Sequence, residues 1–473
     1  MEIADNFHNP INQKREIPMF FRQIQADGLA HHSYFIGQQN EAIVIDPRRD
    51  IDIYLDLARQ GGFRIKKILE THRNEDYVIG SVPLQEFTGA EILHGPGLDW
   101  GYGTTIKDGE RFGFGGLEIT ALTTPGHTPE SLTFSLADLK FSDQPILAFT
   151  GDALFIGDSG RTDLWPEKTS AEAADILYDS IMRKIIPLGD HVLLYPAHGS
   201  GSVCGGAIAE RDLSSLGYEK RFNPSMTGEL AQKDHFVERK AQEKHLGPSY
   251  FKLMEQWNLT GEAPRSYPHP EITPLTVDEF AEQQDRGALT IDLRMPQAFA
   301  GAHIPQSLNV WFGGLSSYLP WVSAVDQDLL FVLPDGVDVG QLSRQLYRIG
   351  YDHAQGYLVG GVDSWQNSGR ELGQLKTIDS LTLAKERKRN QNLTVLDVRP
   401  DSEWEAGSIE GAKHIFLGDL HRHLDELPKD QPIVSMCSVG QRGGIGASIL
   451  ARHGFPNVMN YLGGYKAWQK QTS

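Results

Sequence analysis

Short apolar runs that stop at a chemically reactive side chain recur in the first half of this chain, and they leave little freedom in how it folds. Residues 65–69 run into His72, residues 117–122 into Pro125-Gly126-His127, and residues 146–150 into Gly151-Asp152. Residues 192–195 end the same way, in Pro196-Ala197-His198-Gly199. β-Branched runs of this length read as strands, and helical spacing lies between them. Ile51, Tyr54, Leu55 and Ala58 share a helix face, and Gly61-Gly62 stops that helix. Strand alternating with helix predicts α/β layers with functional groups at strand ends.

After residue 260 the pattern repeats at long range. Ile291-Asp292-Leu293-Arg294 matches Leu396-Asp397-Val398-Arg399, and Gly360-Gly361 with Trp365 matches Gly463-Gly464 with Trp468. A period of a whole small domain is too long for a solenoid and predicts two tandem α/β domains. Residues 211–253 are charged and expected to be largely helical, and a Pro-rich stretch follows as a linker. The expected plan is thus 1–255, a linker over 256–272, then 273–372 and 373–473.

Charge narrows the partners. Lys and Arg number 44 against 62 Asp and Glu, a net charge of −18. Such a surface gains nothing from nucleic-acid phosphates and is repelled by anionic membranes, so neither is an expected partner. Residues 1–20 carry no apolar core of the signal-peptide kind, and two cysteines in 473 residues suit a reducing cytosol, so a cytoplasmic location is expected.

His72, His127 and Asp152 offer two imidazoles and one carboxylate from strand ends. That donor set holds non-haem iron(II) while leaving positions open for substrate and oxygen. The segments Thr71–Tyr77 (THRNEDY), 124–128 (TPGHT), 149–155 (FTGDALF) and 196–201 (PAHGSG) resemble the metallo-β-lactamase superfamily over about residues 20–210. Gly160-Arg161-Thr162-Asp163 and Asp46-Pro47 point to its persulfide dioxygenases. The resemblance implies an αββα sandwich and a mononuclear Fe(II) on His72, His127 and Asp152, with zinc less expected. It implies oxidation of a low-molecular-weight, glutathione-like persulfide to sulfite. The superfamily motif His-x-His-x-Asp-His reads His72-Arg73-Asn74-Glu75-Asp76-Tyr77 here, which removes ligands that a two-zinc hydrolase needs. Asp76 and His198 are then expected to support the ligands or position substrate. Arg161 is expected either to meet a carrier carboxylate or to pair with Asp163 or Asp158.

At the other end, residues 433–436 form a strand that runs into Cys437-Ser438-Val439-Gly440-Gln441-Arg442, where a helix begins. A cysteine at a strand-to-helix turn faces backbone N–H groups and the positive helix end, which favours an anionic sulfur. Cys437 is the expected nucleophile and Arg442 its cation. With Asp397-Val398-Arg399-Pro400, Glu403-Trp404 and Gly463-Gly464, residues 376–471 resemble a rhodanese domain, which implies sulfur transfer through a Cys437 persulfide to or from thiols, thiosulfate or sulfite. The loop Ser438, Val439, Gly440 and Gln441 would cradle the sulfur. Residues 273–372 share the framework but carry Leu333-Pro334-Asp335-Gly336-Val337-Asp338 in that loop, so this domain is expected to be catalytically silent. Two readings stay open beside the fused enzyme: a sulfurtransferase with a degenerate first domain, and a thioester hydrolase of the glyoxalase II kind. A homodimer also stays open.

Overall fold

The computed structural model describes residues 18–245, 247–264, 267–390 and 392–472. Most of the N-terminal segment read for a targeting signal, and residues 265 and 266 of the expected linker, lie outside the described residues.

Two six-stranded sheets form the first domain. One runs in chain order from Phe20–Ala26 through His31–Gln38, Glu41–Ile45, Arg64–Leu69 and Glu91–His94 to Thr104–Thr105. The other is ordered Ser214–Ser215, Leu193–Pro196, Pro145–Gly151, Leu132–Asp138, Leu117–Thr123, Arg111–Phe114. Period-two alternation decides which residues fill the sandwich. Ile43 and Ile45 meet Ile119, Phe134 and Phe149 between the sheets. Ala42 and Val44 face outward onto Tyr54 of the helix Asp52–Gly61 and Leu84 of the helix Ser81–Thr88. On the far side Ala148 and Leu194 pack under Leu177 of the helix Ser170–Ser180. The result is the expected αββα sandwich, and every strand end that carries a reactive residue opens at one edge.

The two following domains are five-stranded parallel sheets with one strand order. The first is Thr273–Leu275, Ala354–Leu358, Leu329–Val332, Leu289–Asp292, Leu308–Asn309; the second is Lys376–Ile378, Val458–Tyr461, Ile433–Met436, Thr394–Asp397, Lys413–His414. Parallel pairing forces crossover helices between strands, which explains the long period of the repeat.

One apolar cluster joins all three domains. It contains Tyr77 and Val78 of the first, Leu315 and Leu342 of the second, and Leu417 and Ile445 of the third. Buried ion pairs pin the first to the second: Arg348 grips Asp50 with Nε and Nη2 at 2.8 Å each, and Arg49 grips Asp352 at 2.7 Å. Helix Tyr250–Thr260 runs straight through residue 255, and its Asn258 donates to the carbonyls of Asn74 and Tyr77 at 2.7 and 2.8 Å. Residues 211–253 are helical only in pieces, Leu216–Phe222 and Lys233–Gln242 before that helix. No described helix is long and apolar enough to cross a membrane.

Candidate metal centre and sulfur-transfer site

His72, His127 and Asp152 converge at the open edge of the sandwich, all fully buried. The Asp152 Oδ2 lies 3.7 Å from His72 Nε2 and 3.5 Å from His127 Nε2. The opposite ring nitrogens are committed elsewhere. His127 Nδ1 meets the Arg161 carbonyl at 3.0 Å, so it carries the proton. Thr71 gives its hydroxyl proton to Asp46 at 2.7 Å and so accepts from His72 Nδ1 at 2.9 Å. Both Nε2 atoms are left with free lone pairs and no hydrogen-bond partner among the described residues. Burial holds both imidazoles below their ordinary range, His72 at about 3, so both are neutral as ligands must be. Gly151 is required here: its φ is +53°, and a Cβ would meet Thr71 at 2.8 Å. The donor set and the two orphaned nitrogens fit a single metal ion.

Around this trio the structure adds groups that the strand-end reading weighed differently or passed over. His198 lies between two carboxylates, with Nδ1 2.8 Å from Asp152 Oδ1 and Nε2 3.2 Å from Asp76 Oδ2. Burial alone would lower its pKa, but those two charges hold it well above the ordinary value. Arg161 pairs with Asp163 through Nε and Nη2 at 2.7 Å each, the second of its two expected roles. Cys204 is buried and donates to Glu75 Oε1 at 3.3 Å. Glu75, which sequence reasoning passed over, has its pKa pushed up to about 8 by burial and then by Asp76. His31 was also missed; it is buried, and its ring lies 4.1 Å from that of Tyr77 and 5.6 Å from that of His198. Its only sequence signal is a His31-His32 pair inside a strand. Asn74, in the place of a superfamily histidine, spends its amide on the His72 carbonyl at 3.2 Å.

The Cys437 site is built by the strand Ile433–Met436 and the helix Gln441–Arg452. The Gly440 N–H donates to Cys437 Sγ at 3.1 Å, and φ of +98° at Gly440 makes that turn. Cys437 itself is fully buried, whereas Val439 at the loop tip is 46% exposed. Arg442 binds Glu403 through both nitrogens, at 2.6 and 2.9 Å, and meets Ser438 Oγ at 2.9 Å. Its charge is therefore shared between the loop and a carboxylate, which holds the guanidinium in one orientation. Gln441 opens the helix behind the loop.

Comparison with known proteins agrees with this anatomy. Residues 26–198 match the model of the metallo-beta-lactamase superfamily, and residues 276–368 and 380–471 each match the rhodanese-like domain. Over 222 residues the chain is 31% identical to the mitochondrial persulfide dioxygenase ETHE1 of Bos taurus, covering 44% of this chain and 77% of that protein. The chain belongs to the persulfide dioxygenase family of the metallo-beta-lactamase superfamily. With its two rhodanese-like domains it is an enzyme of sulfur metabolism. A crystal structure of a metallo-beta-lactamase from Staphylococcus aureus superposes with a TM-score of 0.62 at 29% identity, covering 72% of this chain and 98% of that one. The hydroxyacylglutathione hydrolase GloC of Haemophilus influenzae is 27% identical over 208 residues, 39% of this chain and 87% of that protein.

Proposed function

We propose that the first domain oxidises a low-molecular-weight, glutathione-like persulfide to sulfite at one iron ion, and that the third moves sulfane sulfur through Cys437. The observation that carries the reading is the pair of orphaned, neutral Nε2 atoms facing one carboxylate. His72, His127 and Asp152 would hold the ion, and a two-imidazole, one-carboxylate face suits non-haem iron(II). Bound there, iron(II) would supply redox chemistry with dioxygen.

The chain's own residues do the rest. Asp46 and Thr71 fix the His72 ring, and the Arg161 carbonyl fixes His127, so neither ligand has to reorganise. His198 is placed to hold a proton between Asp152 and Asp76. Persulfide, dioxygen and water give thiol and sulfite, so the site must release protons as it turns over. In the third domain the Cys437 thiolate takes the outer sulfur of a donor, and the Gly440 N–H stabilises the anionic persulfide. The middle domain takes no part in the chemistry.

Elemental analysis joined to oxygen uptake on glutathione persulfide tests this. About one iron per chain and persulfide-dependent uptake are expected, and both should vanish in His127→Ala. A second reading rests on Asp76, His198 and Cys204, whose ligand atoms all lie within 4.8 Å of one another beside the first trio. Two zinc ions per chain, thioester cleavage and no oxygen uptake would replace the dioxygenase with a hydrolase.

A further inference from the structure

One cavity lies between the metal-site loop and the Cys437 loop. At one side it is bounded by Asp76 of the metal-site loop and by Gly201 and Val203 of the His198 loop. At the other it is bounded by Pro400 and by Arg442, the cation of the Cys437 site. The silent middle domain closes it with the helix Leu315–Val322, through Ser316, Ser317, Tyr318 and Trp321. Trp321 packs edge-on against Phe416 of the third domain, ring centres 5.0 Å apart, so the wall is continuous across the domain boundary. Tyr318 and Arg442 share this lining.

The cavity has a volume of about 210 Å³, small beside most ligand sites and far below what a protein thiol carrier needs. Its walls are mostly apolar, with Tyr250 and Phe251 on one side and Tyr318 and Trp321 of the middle-domain helix among the rest. Two lining residues, Asp76 and Ser316, are buried and each has an oxygen with no hydrogen-bond partner among the described residues. Buried polar atoms of this kind are satisfied by a ligand or by water. An apolar slot with isolated hydrogen-bonding oxygens suits a small thiol that carries amide groups.

We propose that this cavity is a single carrier-thiol site serving both reactions, and that the middle domain is retained because it supplies the wall. The inference rests on the dioxygenase reading of the first domain. In the step that joins the sites, the carrier thiolate attacks the outer sulfur of the Cys437 persulfide. The bond between that sulfur and Cys437 breaks, a new sulfur–sulfur bond forms on the carrier, and Cys437 leaves as the thiolate. Nothing is oxidised in that exchange. The carrier persulfide then already lies against Asp76 of the metal-site loop.

Steady-state kinetics of the full, iron-loaded chain test this with two substitutions on the middle-domain helix. Tyr318→Ala removes a wall, and Ser317→Trp fills the space from an exposed position on the lining. Two readouts are needed: KM for glutathione persulfide in oxygen uptake, and selectivity for glutathione over cyanide as acceptor from thiosulfate-loaded Cys437. Cyanide is too small to use the walls. In both variants the KM should rise roughly tenfold and the selectivity should fall by a similar factor. A change in only one readout, or in neither, overturns the shared site while wild-type oxygen uptake still stands. A wild-type enzyme that takes up no oxygen instead overturns the dioxygenase reading, and the sharing with it.

Discussion

The two rhodanese-like domains are near copies in backbone and differ in the residues that line the loop after the central strand. Each holds the Asp–Arg pair after its third-ranked inner strand in the same way: Arg294 Nη2 and Arg399 Nη2 both lie 2.6 Å from the carboxylates of Asp292 and Asp397. That pair is framework. The divergence sits in the loop after the central strand and in the helix that faces it. In the third domain Cys437 accepts from Gly440, and Arg442 is held by Glu403. In the middle domain Leu333 follows the strand, Ala298 stands where Glu403 would, and Asp338 replaces Arg442. Asp338 also caps the helix Val339–Arg348 by accepting from the Gly340 N–H at 2.9 Å. A carboxylate of the chain thus occupies the helix end that an anionic sulfur would use. A fold can change the three positions of its reactive loop and keep its Asp–Arg framework pair.

The sharpest way to break the comparison is to move the cysteine. Cys437→Ser should lower sulfur transfer from thiosulfate by roughly three orders of magnitude or more, while oxygen uptake on added persulfide persists. Adding Leu333→Cys to that variant should restore nothing, because Asp338 stands where the third domain has Arg442 and Arg294 is already paired with Asp292. Transfer activity in the double variant, measured as thiocyanate formed from cyanide, would show that the framework alone suffices.

The same helix in each domain ends in arginine, and this gives a stability contrast. Arg348 is buried against Asp50, whereas Arg452 is partly exposed and donates to the Gln306 carbonyl. Arg348→Ala should cost about 3 kcal/mol, the lower end for a broken buried pair, since Asp50 keeps Arg48 as a partner. Arg452→Ala should cost about 0.5–1.5 kcal/mol, the value of one hydrogen bond at a surface. Chemical denaturation midpoints compare them, and equal losses would mean that the middle domain is not the hub of the assembly.

Much of this was legible in the chain. Strand ends named His72, His127 and Asp152, because a strand fixes where its last residues emerge regardless of what packs behind it. The repeat named both C-terminal domains, because the framework residues Asp292, Arg294, Asp397 and Arg399 bond to near neighbours in sequence. What stayed hidden depends on distant pairs. Asp50 and Arg348 are 298 residues apart, and Asn258 braces a loop 184 residues before it. Glu75 was hidden for another reason: it follows a motif position that carries no ligand, and only burial beside Cys204 gives it a role. The middle-domain helix Leu315–Val322 reads as apolar packing, and its place over two sites emerges only from the domain arrangement.

The smallest expected effect concerns the latch that the middle domain lacks. Burial would raise the Glu403 carboxyl, but the hydrogen bonds and charge of Arg442 hold it below its ordinary range. A depressed carboxyl contributes stability above its unfolded pKa and loses it as pH falls through the folded one. Wild type should therefore exceed Glu403→Gln in melting temperature by a constant margin from about pH 8 to pH 5, because a carboxylate near 4.3 when unfolded is charged throughout. The margin should narrow only in more acidic solution. Ala298→Glu in the middle domain should show no such margin at any pH, since Asp338 offers its carboxylate no partner. A margin there would mean that Arg294 can be recruited from Asp292, and that the framework pair is less fixed than its 2.6 Å contact implies.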